Sequence, residues 1–300
     1  MRNNHHENRY EFVFANPEKS RQILGRLDEF ISTTSEFERK LRMKTNDAVS
    51  PREFSKFCAA SALPWTRIEE ERLNKILNLV VQKLRAYQFG FEEPVFFIKT
   101  NGLEESHTAY TRGHAVILSE RRMQRKDWSL ERLIIHELFH IFSRYHAQVR
   151  DQLYARIGFT YCGPIKLPAK YADQRVTNPD SPQNNHLLRL SSEGSQLNLL
   201  PVLYVAETIP DFSAVETHFD RVKFVFLAIN ETENVFKIDE RHTNAYLAEE
   251  LTALPRHIVH YAIPQPEEIM AEIFTSLVTE EKSLISNTIV EAVRLILSKK

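Results

Sequence analysis

Two histidines four residues apart, with a glutamate beside the first, stand inside an almost wholly apolar run. The run is Leu133-Ile-Ile-His136-Glu137-Leu-Phe-His140-Ile-Phe142. Its apolar residues recur all round a 3.6-residue period, which predicts a buried helix from Ser129 to about His146. On such a helix both imidazoles share one face, and Glu137 sits about 100° round from His136. Left unpaired among apolar neighbours, these groups would cost several kcal/mol. A metal ion removes that cost more simply than a set of neutral hydrogen bonds would. The pattern therefore points to one Zn2+ per chain, with His136 and His140 as ligands and Glu137 as the base that takes a proton from water at the metal.

Other chemistries lose ground on composition. Only seven glycines occur in 300 residues. There is no GxGxxG dinucleotide loop, no Walker-type phosphate loop and no GxSxG nucleophile elbow. The 39 basic residues balance 40 acidic ones for a net charge of -1, so no nucleic-acid footprint follows. The cluster Arg121, Arg122, Arg125, Lys126 reads as a solvated face. No stretch reaches the roughly 18 consecutive apolar residues of a membrane span. The first residues lack the apolar core of a secretory signal, which makes a cytoplasmic location the expectation unless a leader has been removed. Cys58 and Cys162 form neither a disulfide framework nor a CxxC metal clip, and a single bridge between them stays open.

Along the chain, the first ninety residues read mainly as helices. One is expected from Pro17 to about Arg42, one from Ser50-Pro51 with Glu53 completing a capping box, and one from Thr66 to Gln88. Pro94–Thr100 reads as a strand, and Thr108–Ser119 as a strand or a hairpin broken near Gly113. From about 164 to 241 the texture is of strands and turns, with strands at Leu200–Ala206, Val222–Ile229 and Val235–Ile238 and a loop at Pro179–Pro182. Thr243–Leu254, Glu267 to about Val278, and Ser286–Leu297 read as helices.

A catalytic zinc site takes three protein ligands, and two residues compete for the third place. His146 has the spacing of the metzincin pattern, but Ser143 replaces the glycine that turns the chain out of the helix. The metzincin methionine turn has no counterpart among the four methionines. Glu268 is the other candidate. Pro266-Glu-Glu-Ile-Met-Ala-Glu-Ile-Phe274 resembles the second metal-bearing helix of gluzincins, and together with His136–His140 the chain is similar to gluzincin metallopeptidases of the thermolysin and anthrax-lethal-factor type. The resemblance covers two helices. It implies Glu268 as ligand, with His146 kept as the alternative, and Glu272 as hydrogen-bond partner of a ligand histidine. It further implies Tyr261, seven residues before Glu268, as an oxyanion stabiliser.

The expected architecture is therefore α+β: a helical region over 1–90, then a zincin-like metallohydrolase domain over 91–300. The segment between His140 and Glu268 is longer than in the comparison enzymes, which implies a β-rich insertion at about 164–241. The implied activity is zinc-dependent hydrolysis of a peptide or protein substrate, paired on the strand before the metal helix. The alternative is a zincin-fold zinc-binding protein without peptidase activity, acting as an interaction module or on a non-peptide substrate.

Overall fold

A computed structural model describes residues 10–192, 195–232, 235–238, 244–247, 250–251, 254–255, 258, 264–281 and 286–298. The described elements are β1 (Phe12–Phe14), α1 (Pro17–Leu24), α2 (Glu29–Thr33), α3 (Glu36–Met43), α4 (Pro51–Ala60), β2 (Ala62–Leu63), α5 (Arg67–Leu84), β3 (Val95–Thr100), β4 (Tyr110–Arg112) and β5 (Ala115–Ser119). They continue with α6 (Glu120–Met123), α7 (Asp127–Tyr145), α8 (Ala147–Ala155), β6 (Phe159–Tyr161), α9 (Ala169–Ala172), β7 (His186–Ser192), β8 (Ser195–Val205), β9 (Val222–Thr232), β10 (Val235–Lys237), β11 (Ala245–Tyr246), α10 (Pro266–Thr279) and α11 (Asn287–Leu297). The chain is α+β.

Local chemistry explains most of these boundaries. Ser50 and Thr66 each accept from the backbone three residues on, while Glu53 and Glu69 reach back, so α4 and α5 start on full capping boxes. The single helix expected from Pro17 to Arg42 is instead three. Asp28 and Ser35 accept from Ile31 N and Glu38 N and start new helices there, satisfying amides that a continuous helix would have bonded internally. Gly113, at φ +56°, makes the tight turn between β4 and β5.

The first ninety residues are not purely helical. β1 lies parallel to β3, and β2 pairs antiparallel with the same strand. The sheet continues from β3 to β5, which is parallel, and ends on the antiparallel edge strand β4. Residues on both sides of position 90 therefore share one sheet. A second sheet, antiparallel in the order β10-β9-β8-β7-β6, holds the strand-rich stretch and starts earlier than expected, at Phe159. Ala245 and Tyr246 pair with Leu227 and Phe226, so a strand stands where a helix over Thr243–Leu254 was expected. A two-residue β edge gains its pairing from β9, and local propensity cannot foresee it.

One core joins the layers. Leu77, Val80 and Leu84 of α5, the apolar face of α7, and Ile273, Phe274 and Leu277 of α10 pack with Leu188, Leu199 and Phe226 of the second sheet. Phe89 is the clamp between the two long helices. Its ring stacks on Phe142 at 4.4 Å and on Phe274 at 4.8 Å, while Phe139 meets Phe274 at 5.1 Å. This aromatic stack holds α7 against α10 at a fixed register. Cys58 and Cys162 are both free and lie in different clusters. Among the described residues no helix is long and apolar enough to cross a membrane.

Candidate metal centre

Helix α7 is buried along Ile134, Ile135, Leu138, Phe139, Ile141 and Phe142, and its two histidines point toward α10. Pro266 opens α10, which needs no amide donor at its first position. Glu268 then falls in the first turn. His136 Nε2 lies 3.2 Å from Glu268 Oε2, and His140 Nε2 lies 3.7 Å from Glu268 Oε1. One donor atom from each of the three residues falls within 4.8 Å of the others. The triad drawn from two distant helices is thus brought together.

Around it, Glu272 Oε2 stands 3.8 Å from His136 Nδ1. Arg132 bonds Glu272 and Glu281, which anchors Glu272 from behind. His146 is not in this group. The helix runs on past Ser143, whose Oγ donates to His140 O at 3.1 Å. His146 ends the helix stacked on Phe142, ring centroids 4.3 Å apart. Tyr261 lies outside the described residues.

The electrostatics of the cluster are strongly perturbed. Burial alone would push His136 down, yet hydrogen bonds to Glu268 and Glu272 outweigh it and hold its pKa well above the ordinary imidazole value. Burial raises Glu137 far above the usual carboxylate range, and the neighbouring Asp180 charge adds to the rise. Among the described residues, Glu137 Oε2 and His140 Nδ1 are buried without a hydrogen-bond partner. Each orphaned atom costs about 1–3 kcal/mol. Neither orphan is among the atoms that face one another in the triad, which offers two imidazole nitrogens and a carboxylate, a donor set that suits zinc.

Residues not foreseen from the sequence complete the surroundings. A strap from Gln174 to Pro182 runs beside β8, bonded through Val176 N to Leu203 O at 2.9 Å and Val205 N to Gln174 O at 2.9 Å. Asn178 on this strap donates to Glu268 Oε1 at 2.7 Å. Asp180 accepts from Thr111 N at 2.8 Å, and its carboxylate also groups with Glu137 and His140. In the sequence, Pro179-Asp180-Ser181-Pro182 signals only a turn. No pattern there tells which side chain a turn will aim at a helix 90 residues on.

A cleft of about 430 Å3 opens over His136, Glu137 and Glu268. Thr108, Ala109 and Tyr110 line it, so the edge of the first sheet borders the site. Compared with protein-family models, curated proteins and solved structures, the chain shows no significant match.

Proposed function

We propose that this chain is a zinc metallopeptidase with a zincin-like core. One observation carries the reading: the Nε2 atoms of His136 and His140 approach the two oxygens of Glu268 at 3.2 and 3.7 Å. Donors about 2.0–2.1 Å from one ion in a tetrahedral arrangement stand about 3.3 Å apart. His136, His140 and Glu268 would hold the ion, with Glu272 fixing the His136 ring through Nδ1. Zinc, when bound there, supplies Lewis acidity that polarises a carbonyl and lowers the pKa of nearby water.

The chain's own residues divide the remaining work. Glu137 lines the cleft beside the two histidines and takes the proton of the attacking water, then returns it to the leaving amine. Burial excludes bulk water from His140 and Glu137, which are 1% and 3% exposed. Strand β4 offers main-chain groups to an extended peptide. Its Thr111 N–H is already given to Asp180, so pairing falls on Ala109, which alternation places on the same outer edge. Tyr261 is the proposed oxyanion donor, on resemblance alone.

Elemental analysis after zinc incubation and chelator-free dialysis tests the metal, with about one zinc per chain expected. Digestion of a broad peptide mixture tests hydrolysis, and Glu137→Gln should keep the zinc while losing cleavage. Full activity in that variant would sink the general-base role. Zinc without cleavage of any peptide would favour a zinc-binding protein acting otherwise.

A further inference from the structure

Four arginines line the cleft over the metal centre: Arg42, Arg122, Arg125 and Arg132. Two are neutralised within the protein, Arg42 by Glu38 and Glu105 and Arg132 by Glu272 and Glu281. Arg122 and Arg125 have no carboxylate partner among the described residues. Arg122 gives its Nε to His107 O at 2.9 Å, which fixes the guanidinium plane and leaves its outer N–H groups for a ligand. Burial first, then the adjacent charges of Arg125 and Arg121, loosen the hold of Arg122 on its proton, with Glu137 opposing. An anion placed between the two guanidiniums relieves that repulsion.

The solvated-face reading of the basic cluster fits only half of it. Arg121 and Lys126 are exposed, whereas Arg122 and Arg125 are half-buried and face the cavity. The same two also line the adjoining depression with Arg121, so the basic surface continues away from the metal ligands. Trp128, 64% exposed, stands at the same cleft and offers an apolar face to a neighbouring residue. A guanidinium pair matches a carboxylate in fork geometry and charge.

We propose that Arg122 and Arg125 form a subsite for a carboxylate of a bound peptide. The assignment of that peptide as substrate rests on the peptidase reading; its binding does not. The carboxylate is an Asp or Glu side chain or the peptide's own C-terminus.

Equilibrium binding to zinc-loaded Glu137→Gln protein separates these sources. One arm uses fluorescent peptides carrying Asp and Glu with an amidated C-terminus, against their Asn and Gln counterparts. The other uses uncharged peptides with a free or an amidated C-terminus. The carboxylate form should bind about tenfold tighter in one arm, and that arm names the source. Adding Arg122→Gln or Arg125→Gln should abolish the preference, and Lys126→Gln should keep it. Among the described residues Arg125 makes no side-chain hydrogen bond, so that variant stands if Arg122→Gln fails to fold. Equal affinities in both arms, an equal loss from Lys126→Gln, or tighter binding of a short single-stranded oligonucleotide would overturn the subsite. Absence of cleavage by the wild type would remove the peptidase reading and leave the binding result standing.

Discussion

The side-chain amide of Asn178 donates to Glu268 Oε1 at 2.7 Å across 90 positions of sequence. The same nitrogen lies 3.1 Å from Gln265 Oε1, so the strap grips the start of α10 at two points. With Oε1 held in this way, Oε2 is left facing His136 Nε2. Replacing Asn178 by Ala frees the carboxylate to rotate. Zinc affinity should fall about tenfold or more, with stoichiometry unchanged, in a chelator-competition titration. An unaltered affinity would remove Asn178 from the positioning role.

A paired comparison tests which residue is the third ligand of the proposed site. Glu268→Ala deletes the oxygen donors that both histidines face, and should bring zinc content after dialysis close to zero. His146→Ala removes only a ring stacked on Phe142, and should leave about one zinc per chain. The reverse outcome would return the site to the metzincin branch.

Much of this site was readable in the sequence because helical spacing is a local rule. His136, Glu137 and His140 needed only the 3.6-residue period, and Glu268 with Glu272 needed the same rule plus a resemblance. The capping boxes at Ser50 and Thr66 are equally local. What escaped was pairing and aim. β1 and β2 are strands because β3 is there to bond them. Asn178 and Asp180 matter because β8 holds their strap against α10. Both are facts about distant partners, which spacing within one segment does not encode.

The strap is also held from the other side. Arg42, 3% exposed, bonds Glu38, Glu105 Oε1 at 2.7 Å and Thr177 O at 2.8 Å. Thr177 in turn gives its N–H and hydroxyl to Glu38. Arg42→Met strands two buried carboxylates and should destabilise the fold by about 3–5 kcal/mol in denaturant titration. Burial already pushes Glu105 up to about 7 despite the arginine. Without Arg42 it binds its proton tighter still in the fold, while the unfolded chain releases it near the ordinary carboxylate value. The deficit should therefore be smallest in acid and grow as pH rises. A deficit below about 1 kcal/mol at neutral pH would mean that the cluster is dispensable.

A buried histidine next to α10 titrates against a glutamate of that helix. His186 is 3% exposed, beside Tyr154 and Tyr161. Its Nδ1 is 2.7 Å from Asn185 Oδ1 and its Nε2 3.3 Å from Asp151 Oδ1. Burial outweighs the Asp151 bond and takes its pKa down to about 4 from the ordinary 6.5. Between these values the unfolded chain binds the extra proton, so this contribution to stability is present above pH 6.5 and lost as pH falls toward 4. Glu267, 3.9 Å away and raised by burial to about 7, acts in the opposite sense over nearly the same window. The wild-type profile therefore hides both. His186→Gln uncovers the histidine: the wild type's advantage over the variant should shrink by about 3 kcal/mol between pH 7 and pH 4. Urea denaturation of the two proteins across that range measures it directly, and a constant difference would mean that His186 takes up its proton alike in the folded and unfolded chains.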